Sequence, residues 1–232
     1  MSRPFWLGLA LVCSSLASFA RPALAQQTFN VSLGYFTPRG QDARVTGDVL
    51  NANRNFLEFA VKDFNGASIG GEWLLPIGRY VEAGAGVSFT RKTVPTVYSR
   101  LLNANGSEIE QELRLRMIPA ALTFRVLPLG QDRGFQPYLG GGLGLISWRY
   151  SESGQFVDRR DNSIFNNSYV ASGTKTGPVA MGGIRFAGDS MATGFEIRYQ
   201  AAEADLPPPF AGSKLDLGGW SYLFTLGARF GR

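Results

Sequence analysis

The chain lacks the side chains on which most enzyme active sites and metal centres depend. It contains no histidine, which is the commonest general base and metal ligand, and its single cysteine is Cys13. No stretch approaches the roughly 20 apolar residues that a membrane-spanning helix needs. Disulfides and helical anchors are therefore not expected. We also expect no catalytic residue, no bound metal and no cofactor.

The N-terminus has the composition of a cleaved secretory signal. Arg3 precedes an apolar run over residues 5–12, and Ala23-Leu24-Ala25 matches the A-x-A pattern of a cleavage site. We predict a signal peptide over 1–25 and a single domain over 26–232.

The charge of the chain is low for its length. The formal net charge is +5, and removal of Arg3 and Arg21 with the signal leaves +3. An excess this small and scattered argues against a nucleic-acid partner.

Apolar residues alternate with small or polar ones along much of the chain. The clearest segment is 220–230, where Trp220, Tyr222, Phe224, Leu226, Ala228 and Phe230 share one face. Strict period two predicts a strand between two different media, and aromatic residues at both ends of the apolar face are typical of a strand crossing a bilayer. Eight such strands are predicted: 28–37, 68–75, 81–89, 117–126 (with an irregularity at Pro119), 136–148, 177–187, 193–200 and 220–230.

The connections between these strands alternate in length. The long ones are 38–67, 91–116, 149–176 and 201–218, and the others are short turns. An even number of strands, short periplasmic turns and long external loops are typical of bacterial outer-membrane barrels. This pattern places both termini in the periplasm. It also predicts two aromatic girdles, an outer one of Tyr35, Phe89, Tyr199, Trp220 and Tyr222 and an inner one of Phe29, Trp73, Phe124, Phe186 and Phe230.

Nearly all of the sequence after the signal resembles the small eight-stranded outer-membrane barrels. This class contains the transmembrane domain of outer membrane protein A, the W-type proteins and the opacity-like proteins. The resemblance implies an all-β, eight-stranded antiparallel up-and-down transmembrane β-barrel in the outer membrane, assembled as a monomer by the barrel-assembly machinery. Members of the class typically end on a phenylalanine, whereas here Phe230 is followed by two further residues. Enzymes with this architecture resemble one another in using a histidine, so we expect no enzymatic activity.

Several charged residues are predicted to face the lumen of the barrel. They are Glu72, Glu82, Arg125, Arg185, Glu196, Arg198 and Arg229. We expect Glu72 and Glu82 at similar depth with Arg125 beside Glu82, and Arg185 close to Glu196. Such charges form either an ion-selective passage or a paired polar core, and the narrow interior of an eight-stranded barrel favours the core. Arg229 is expected inward near Asn30, where the last strand meets the first.

The long loops are the expected functional surface. In the first loop, Phe56, Leu57 and Phe59 predict a small lid. Basic residues near the outer rim are candidates to meet lipopolysaccharide phosphates: Arg159, Arg160, Lys175 and Lys214. Glu108, Glu110 and Glu112 in the second loop are spaced as one solvated face of a strand extension.

Three functions remain open at this point. The favoured one is an integral outer-membrane barrel with a structural or surface-interaction role, in contact with outer-membrane lipid and lipopolysaccharide. The second is a narrow channel for small or apolar solutes. The third is a soluble lipocalin-like carrier, in which the apolar face of each strand would point into the barrel.

Overall fold

A computed structural model describes residues 26–158 and 160–231 of the protein. The predicted signal peptide and Arg159 lie outside the described residues. Most of the described chain is β-structure. Its strands are β1 (Gln27–Pro38), β2 (Gly66–Pro76), β3 (Val81–Leu102), β4 (Glu108–Val126), β5 (Phe135–Val157), β6 (Ile164–Ala187), β7 (Met191–Gln200), β8 (Glu203–Asp205), β9 (Lys214–Asp216) and β10 (Gly219–Phe230).

Eight of these strands close into an antiparallel barrel, which confirms the predicted fold. Each of β1 to β7 pairs with the strand that precedes or follows it, and β10 joins β7 to β1. The seam between β1 and β10 is continuous from Gln27 opposite Phe230 to Pro38 opposite Gly219. The two remaining strands, β8 and β9, form a separate hairpin within the fourth long loop.

Two of the four long loops are largely strand, contrary to the sequence prediction. The segments 91–116 and 149–176 belong mostly to the β3–β4 and β5–β6 hairpins, which pair far beyond the predicted strand ends. The face predicted for Glu108, Glu110 and Glu112 is confirmed, because these residues lie on β4 at alternate, solvent-facing positions. Pairing satisfies the backbone groups that loops of this length would leave without partners.

Pro119 does not disturb the register of β4. The pairs Val87 with Ala120 and Thr90 with Met117 have the same offset on either side of it, and the register shifts instead between Val97 and Leu102. A proline removes one hydrogen-bond donor but inserts no extra residue, so the ladder resumes unchanged.

The outer face of the barrel is apolar and ends in aromatic residues. Large side chains such as Leu122, Leu139 and Leu143 are 68%, 71% and 70% exposed. On the glycine-rich β5, Leu139, Leu143 and Leu145 point outward while Tyr138 is buried. At the short-turn end, Trp73 packs edge-on against Phe29 and Phe230, with ring centroids 6.1 and 5.3 Å apart.

The long-loop end is closed by a hydrophobic cap. Helix α1 (Val49–Asn53) in the first loop begins at Asp48, whose side chain accepts hydrogen bonds from the backbone of Leu50 and Asn51. Its apolar side packs against inward residues of the extended hairpins and of the fourth loop. The core of the cap comprises Val49, Leu50, Leu57, Phe64, Leu113, Leu115, Met117, Ile146, Trp148, Tyr150, Leu206, Leu215 and Leu217. The first loop thus forms a packed lid, as the sequence predicts.

None of the helices in the described part of the chain has the length and apolar composition needed to span a bilayer.

Candidate functional site

The lumen contains an ion-pair network centred on Arg125. Its Nη2 donates to Glu72 Oε2 and, at 2.7 Å, to Glu196 Oε2. Arg198 bridges the same two carboxylates, with its Nη2 at 2.7 Å from Glu196 Oε1 and 3.4 Å from Glu72 Oε1. Tyr138 donates to Glu196 Oε2 at 2.9 Å, and its ring lies 4.7 Å from the Arg125 guanidinium. Two arginines therefore neutralise two buried carboxylates.

A second pair lies nearer the short-turn end. Arg185 makes two hydrogen bonds to Glu82, at 3.1 and 2.5 Å, and its Nε donates to Gln136 Oε1 at 2.7 Å. Gln136 in turn donates to backbone carbonyls of the β4–β5 turn. Three hydrogen bonds to two residues therefore hold the arginine in place.

The partners within the lumen differ from those predicted. Glu72 lies opposite Gly86 whereas Glu82 lies opposite Pro76, so the two carboxylates are not at similar depth. Arg125 is the cross-strand neighbour of Glu82, as expected, yet its side chain reaches Glu72 and Glu196. Arg185 lies diagonal to Glu196 on the adjacent strand, yet its side chain bonds to Glu82 instead. A long arginine side chain reaches carboxylates on strands across the lumen. The pairing of adjacent strands does not predict such contacts.

Among the described residues, Arg229 makes no hydrogen bond to either group. It lies opposite Thr28 rather than Asn30, and its Nη1 donates to the carbonyl of Gly188 in the β6–β7 turn. Asn30 is the next residue of β1 on the same face and lies opposite Gly227, so the neighbour of Arg229 is displaced by two residues from the predicted one. Arg229 belongs to the short-turn rim of the barrel.

Little space remains in the lumen between the ion pairs and the cap. The cavity lined by Asn30, Ser32, Glu72 and Arg198 has a volume of about 20 Å³. A cavity of this size holds on the order of one water molecule. The side chains therefore fill the interior, as expected for eight strands.

The cap contains a polar cluster of its own. Arg44 donates to both oxygens of Asp48, at 2.6 and 2.9 Å, and to the carbonyl of Asp216 at 2.9 Å. Asp216 pairs with Arg39 at 3.2 Å and accepts from the backbone of Gly218. These contacts tie the first loop to the hairpin of the fourth loop.

A cleft opens at the outer surface of the cap, with a volume of about 600 Å³. Its walls carry five aromatic side chains, Phe56, Tyr98, Phe156, Tyr169 and Phe210, and both Glu152 and Asn53 line it. We refer to this feature as the aromatic cleft. It is formed by α1, the two extended hairpins and the fourth loop, so no single segment of sequence contains it.

Three arginines lie side by side on the outer face of the barrel. Arg91 pairs with Arg116, and Arg116 pairs with Arg149, on the adjacent strands β3, β4 and β5. The outward residues that follow them toward the short-turn end are apolar, for example Phe89 and Ile118. No salt bridge joins these arginines to an acidic side chain among residues 26–158 and 160–231. We call this set the arginine row.

The basic residues predicted for lipopolysaccharide contact are arranged differently. Lys175 pairs with Asp205 at 2.8 Å, and Lys214 pairs with Glu203 at 3.0 Å. The hydrogen bond from Lys175 lowers the pKa of Asp205, and that to Glu203 raises the pKa of Lys214. Arg160 is exposed at the tip of the β5–β6 hairpin. Two of the four candidates are therefore engaged within the protein.

Comparison with known proteins finds similar solved structures. No protein-family model matches the chain, and no curated protein matches its sequence. The chain is similar to small outer-membrane barrels of known structure. Ail, the attachment invasion locus protein of Yersinia pestis, has 9% identity and a TM-score of 0.48, covering 89% of this chain and 99% of its own.

Two further structures show the same degree of likeness. Neisserial surface protein A has 11% identity and a TM-score of 0.45, with coverage of 89% of this chain and 97% of its own. The N-terminal barrel domain of Pseudomonas aeruginosa OprF has 10% identity and a TM-score of 0.42, with coverage of 88% and 97%. This similarity bears on neither ligand nor role.

Sequence reasoning missed the arginine row and the aromatic cleft. The arginines fall in segments that were predicted as loops, where cross-strand neighbours cannot be assigned. The alternation Leu113-Arg114-Leu115-Arg116-Met117 was the available signal that β4 continues beyond residue 117. No local pattern marks Glu152, whose partners come from α1 and from its own strand.

Proposed function

We propose that this protein is a non-enzymatic, integral outer-membrane β-barrel that serves a structural or surface-interaction role. The observation that carries the proposal is the contrast between the two faces of the closed sheet. The outer face exposes a continuous set of large apolar side chains, whereas the inner face holds paired charges. Water would solvate such an outer face poorly, while lipid matches it.

The two alternative functions receive less support. A channel needs a continuous passage, but the lumen holds a cavity of only about 20 Å³ below the packed cap. A lipocalin-like carrier needs an apolar interior for its ligand, and here the apolar face of the strands points outward. A complete barrel also removes the exposed strand edges that favour aggregation.

Outer-membrane lipid and lipopolysaccharide are the proposed lipid partners. The arginine row supports this proposal, because it lies where the outward face changes from apolar to polar residues. Directly opposed like charges destabilise a sheet unless a counter-charge neutralises them. Phosphate groups of lipopolysaccharide would supply that charge at the membrane surface. Export by the 1–25 signal, assembly by the barrel-assembly machinery and a monomeric state complete the proposal.

Cysteine accessibility in intact bacteria tests the membrane position and the orientation. The only natural cysteine, Cys13, lies in the predicted signal, so each introduced cysteine would be unique in the processed protein. We expect a membrane-impermeant maleimide to label Ser107→Cys at the β3–β4 tip on whole cells. It should label Ser190→Cys in the β6–β7 turn only after the outer membrane is permeabilised. Leu122→Cys, on the apolar face, should resist the reagent in both conditions.

Fractionation and gel mobility provide the complementary measurement. The processed protein should be recovered in the outer membrane and should change mobility on boiling, as a folded barrel does. Recovery as a freely soluble protein, or labelling of Leu122→Cys as fast as Ser107→Cys, would contradict the proposal. Labelling of Ser190→Cys on intact cells would overturn the orientation while leaving the barrel in the membrane.

A further inference from the structure

Among the described residues, one buried carboxylate lacks the cationic partner that every other buried carboxylate has. Six acidic residues are buried in the described part of the chain, namely Asp48, Glu72, Glu82, Glu152, Glu196 and Asp216. Five of them have an arginine nitrogen within ion-pair distance. Within residues 26–158 and 160–231, Glu152 has no such partner. A buried carboxylate that keeps its charge without a counter-ion is costly.

The surroundings of Glu152 leave room for a donor from outside the protein. Its Oε1 accepts from Asn53 Nδ2 at 2.6 Å and from Tyr150 Oη at 2.9 Å. Asn53 Oδ1 is also buried, and it accepts no hydrogen bond from the described residues. Burial raises the pKa of Glu152, and the hydrogen bonds from Asn53 and Tyr150 oppose that rise. The wall of the cleft therefore holds several hydrogen-bond acceptors. Glu152 itself is only 5% exposed.

The walls of the cleft suit a flat cationic group. Phe156 and Tyr169 lie with ring centroids 4.8 Å apart. Phe210 contacts both Tyr169 and Tyr150, at 6.4 and 5.6 Å between centroids. Aromatic faces attract cations, and arginine does so more often than lysine. Glu152 is the one charged residue among those that line this cleft in the described chain.

We propose that the aromatic cleft binds the guanidinium group of an arginine side chain on an extracellular peptide or protein. The guanidinium would donate to Glu152 and to Asn53 Oδ1. Its plane would lie against the rings of Tyr169 and Phe210. A quaternary ammonium has no N–H and would leave Asn53 Oδ1 without a donor. A volume of about 600 Å³ accommodates such a side chain with its neighbouring backbone. This inference rests on the proposed surface-interaction role, for which it names the partner chemistry.

Binding of a short peptide to the folded protein tests the inference. The full processed chain is placed in lipid nanodiscs, and a capped Gly-Arg-Gly peptide is titrated while nuclear magnetic resonance shifts are recorded. The matched ligand is capped Gly-citrulline-Gly, which has nearly the same shape but no charge. We expect the arginine peptide to bind about tenfold or more tightly than the citrulline peptide. Equal binding of the two peptides would overturn the proposal.

Protein variants separate the cleft from general surface charge. Glu152→Gln keeps an acceptor for Asn53 and Tyr150 but removes the charge, and it should weaken binding of the arginine peptide about tenfold. Asp42→Asn removes one charge from an exposed part of the first loop and should leave binding unchanged. Full binding by Glu152→Gln, or equal weakening by both variants, would contradict the inference.

A second variant keeps the test valid if Glu152→Gln fails to fold. Tyr169→Leu removes one aromatic wall and leaves Glu152 in place, so it should weaken the arginine peptide severalfold, and unaltered binding would count against the site. Each variant must show the same gel-mobility shift on boiling as the unaltered protein. A barrel that inserts into the membrane but binds no arginine peptide would refute the cleft alone. A soluble protein would refute the proposed function itself.

Discussion

Arginine side chains neutralise the carboxylates that are buried inside this barrel. Arg125, Arg198 and Arg185 each contact carboxylates, and their guanidinium groups offer several donors in a planar fork. Carboxylates enclosed by eight strands cannot draw on bulk water, so pairing replaces the lost hydration. The same logic operates in the cap, where Arg44 and Arg39 hold Asp48 and Asp216. The identity and the length of individual side chains therefore decide which ion pairs form.

Breaking one lumen pair should therefore destabilise the barrel. Glu82→Gln leaves the charge of Arg185 buried without its partner, and we expect a loss of about 3 kcal/mol in the free energy of unfolding. The matched control is Glu203→Gln, which breaks the exposed pair with Lys214 and should cost less than about 1 kcal/mol. Urea unfolding in lipid bilayers measures both. Equal effects of the two substitutions would show that burial of the pair contributes nothing.

The longest strands change the face on which they carry apolar residues. On β5, Leu143 and Leu145 point outward, whereas Ile146 and Trp148 further along point inward. On β4 the same inversion falls between Met117 and Ile118. Each strand passes from a region where its outer face is apolar to one where its inner face packs in the cap. A prediction that requires the apolar residues to stay on one face of a strand stops near this inversion. It therefore places the arginines in loops.

The arginine row follows directly from this inversion, and its lipid preference is testable. Replacing Arg91, Arg116 and Arg149 together by glutamine removes three opposed charges. In phosphatidylcholine bilayers the variant should be at least as stable as the parent, because like charges no longer face one another. In bilayers containing lipopolysaccharide it should lose about 1 kcal/mol per arginine relative to the parent. Unfolding midpoints in the two lipids provide the measurement.

The control for this test removes the same charge elsewhere on the long-loop side. Lys62, Arg100 and Arg160 are exposed, and their triple glutamine variant should respond equally to both lipids. If the control shows the same loss in lipopolysaccharide as the arginine-row variant, net charge rather than the row is responsible.

The whole molecule is a barrel closed by its own loops. The protein has three distinct regions, which are the apolar outer face, the lumen with its ion pairs, and the cap. Each region matches a different environment. The cap turns the long-loop end into a folded surface instead of a set of separate loops. This organisation presents the aromatic cleft on a rigid support, which suits recognition better than mobile loops do.

Conductance across a planar bilayer tests the closed interior. We expect no discrete openings from the folded protein, because side chains leave a cavity of only about 20 Å³ between the ion pairs and the cap. Reproducible single-channel steps would favour the narrow-channel alternative. In that case Glu82→Gln should change ion selectivity, whereas in a closed barrel it changes stability alone.

The sequence by itself determined the number of barrel strands, their order and the side of each that faces outward. Period-two alternation carries that information because neighbouring side chains of a strand point to opposite faces. Only the tertiary structure decided the lumen partners, the extended hairpins, the cap and the cleft around Glu152. These depend on side chains that meet across the lumen or come from separate loops. Such contacts are set by three-dimensional closure and leave no local periodicity in the chain.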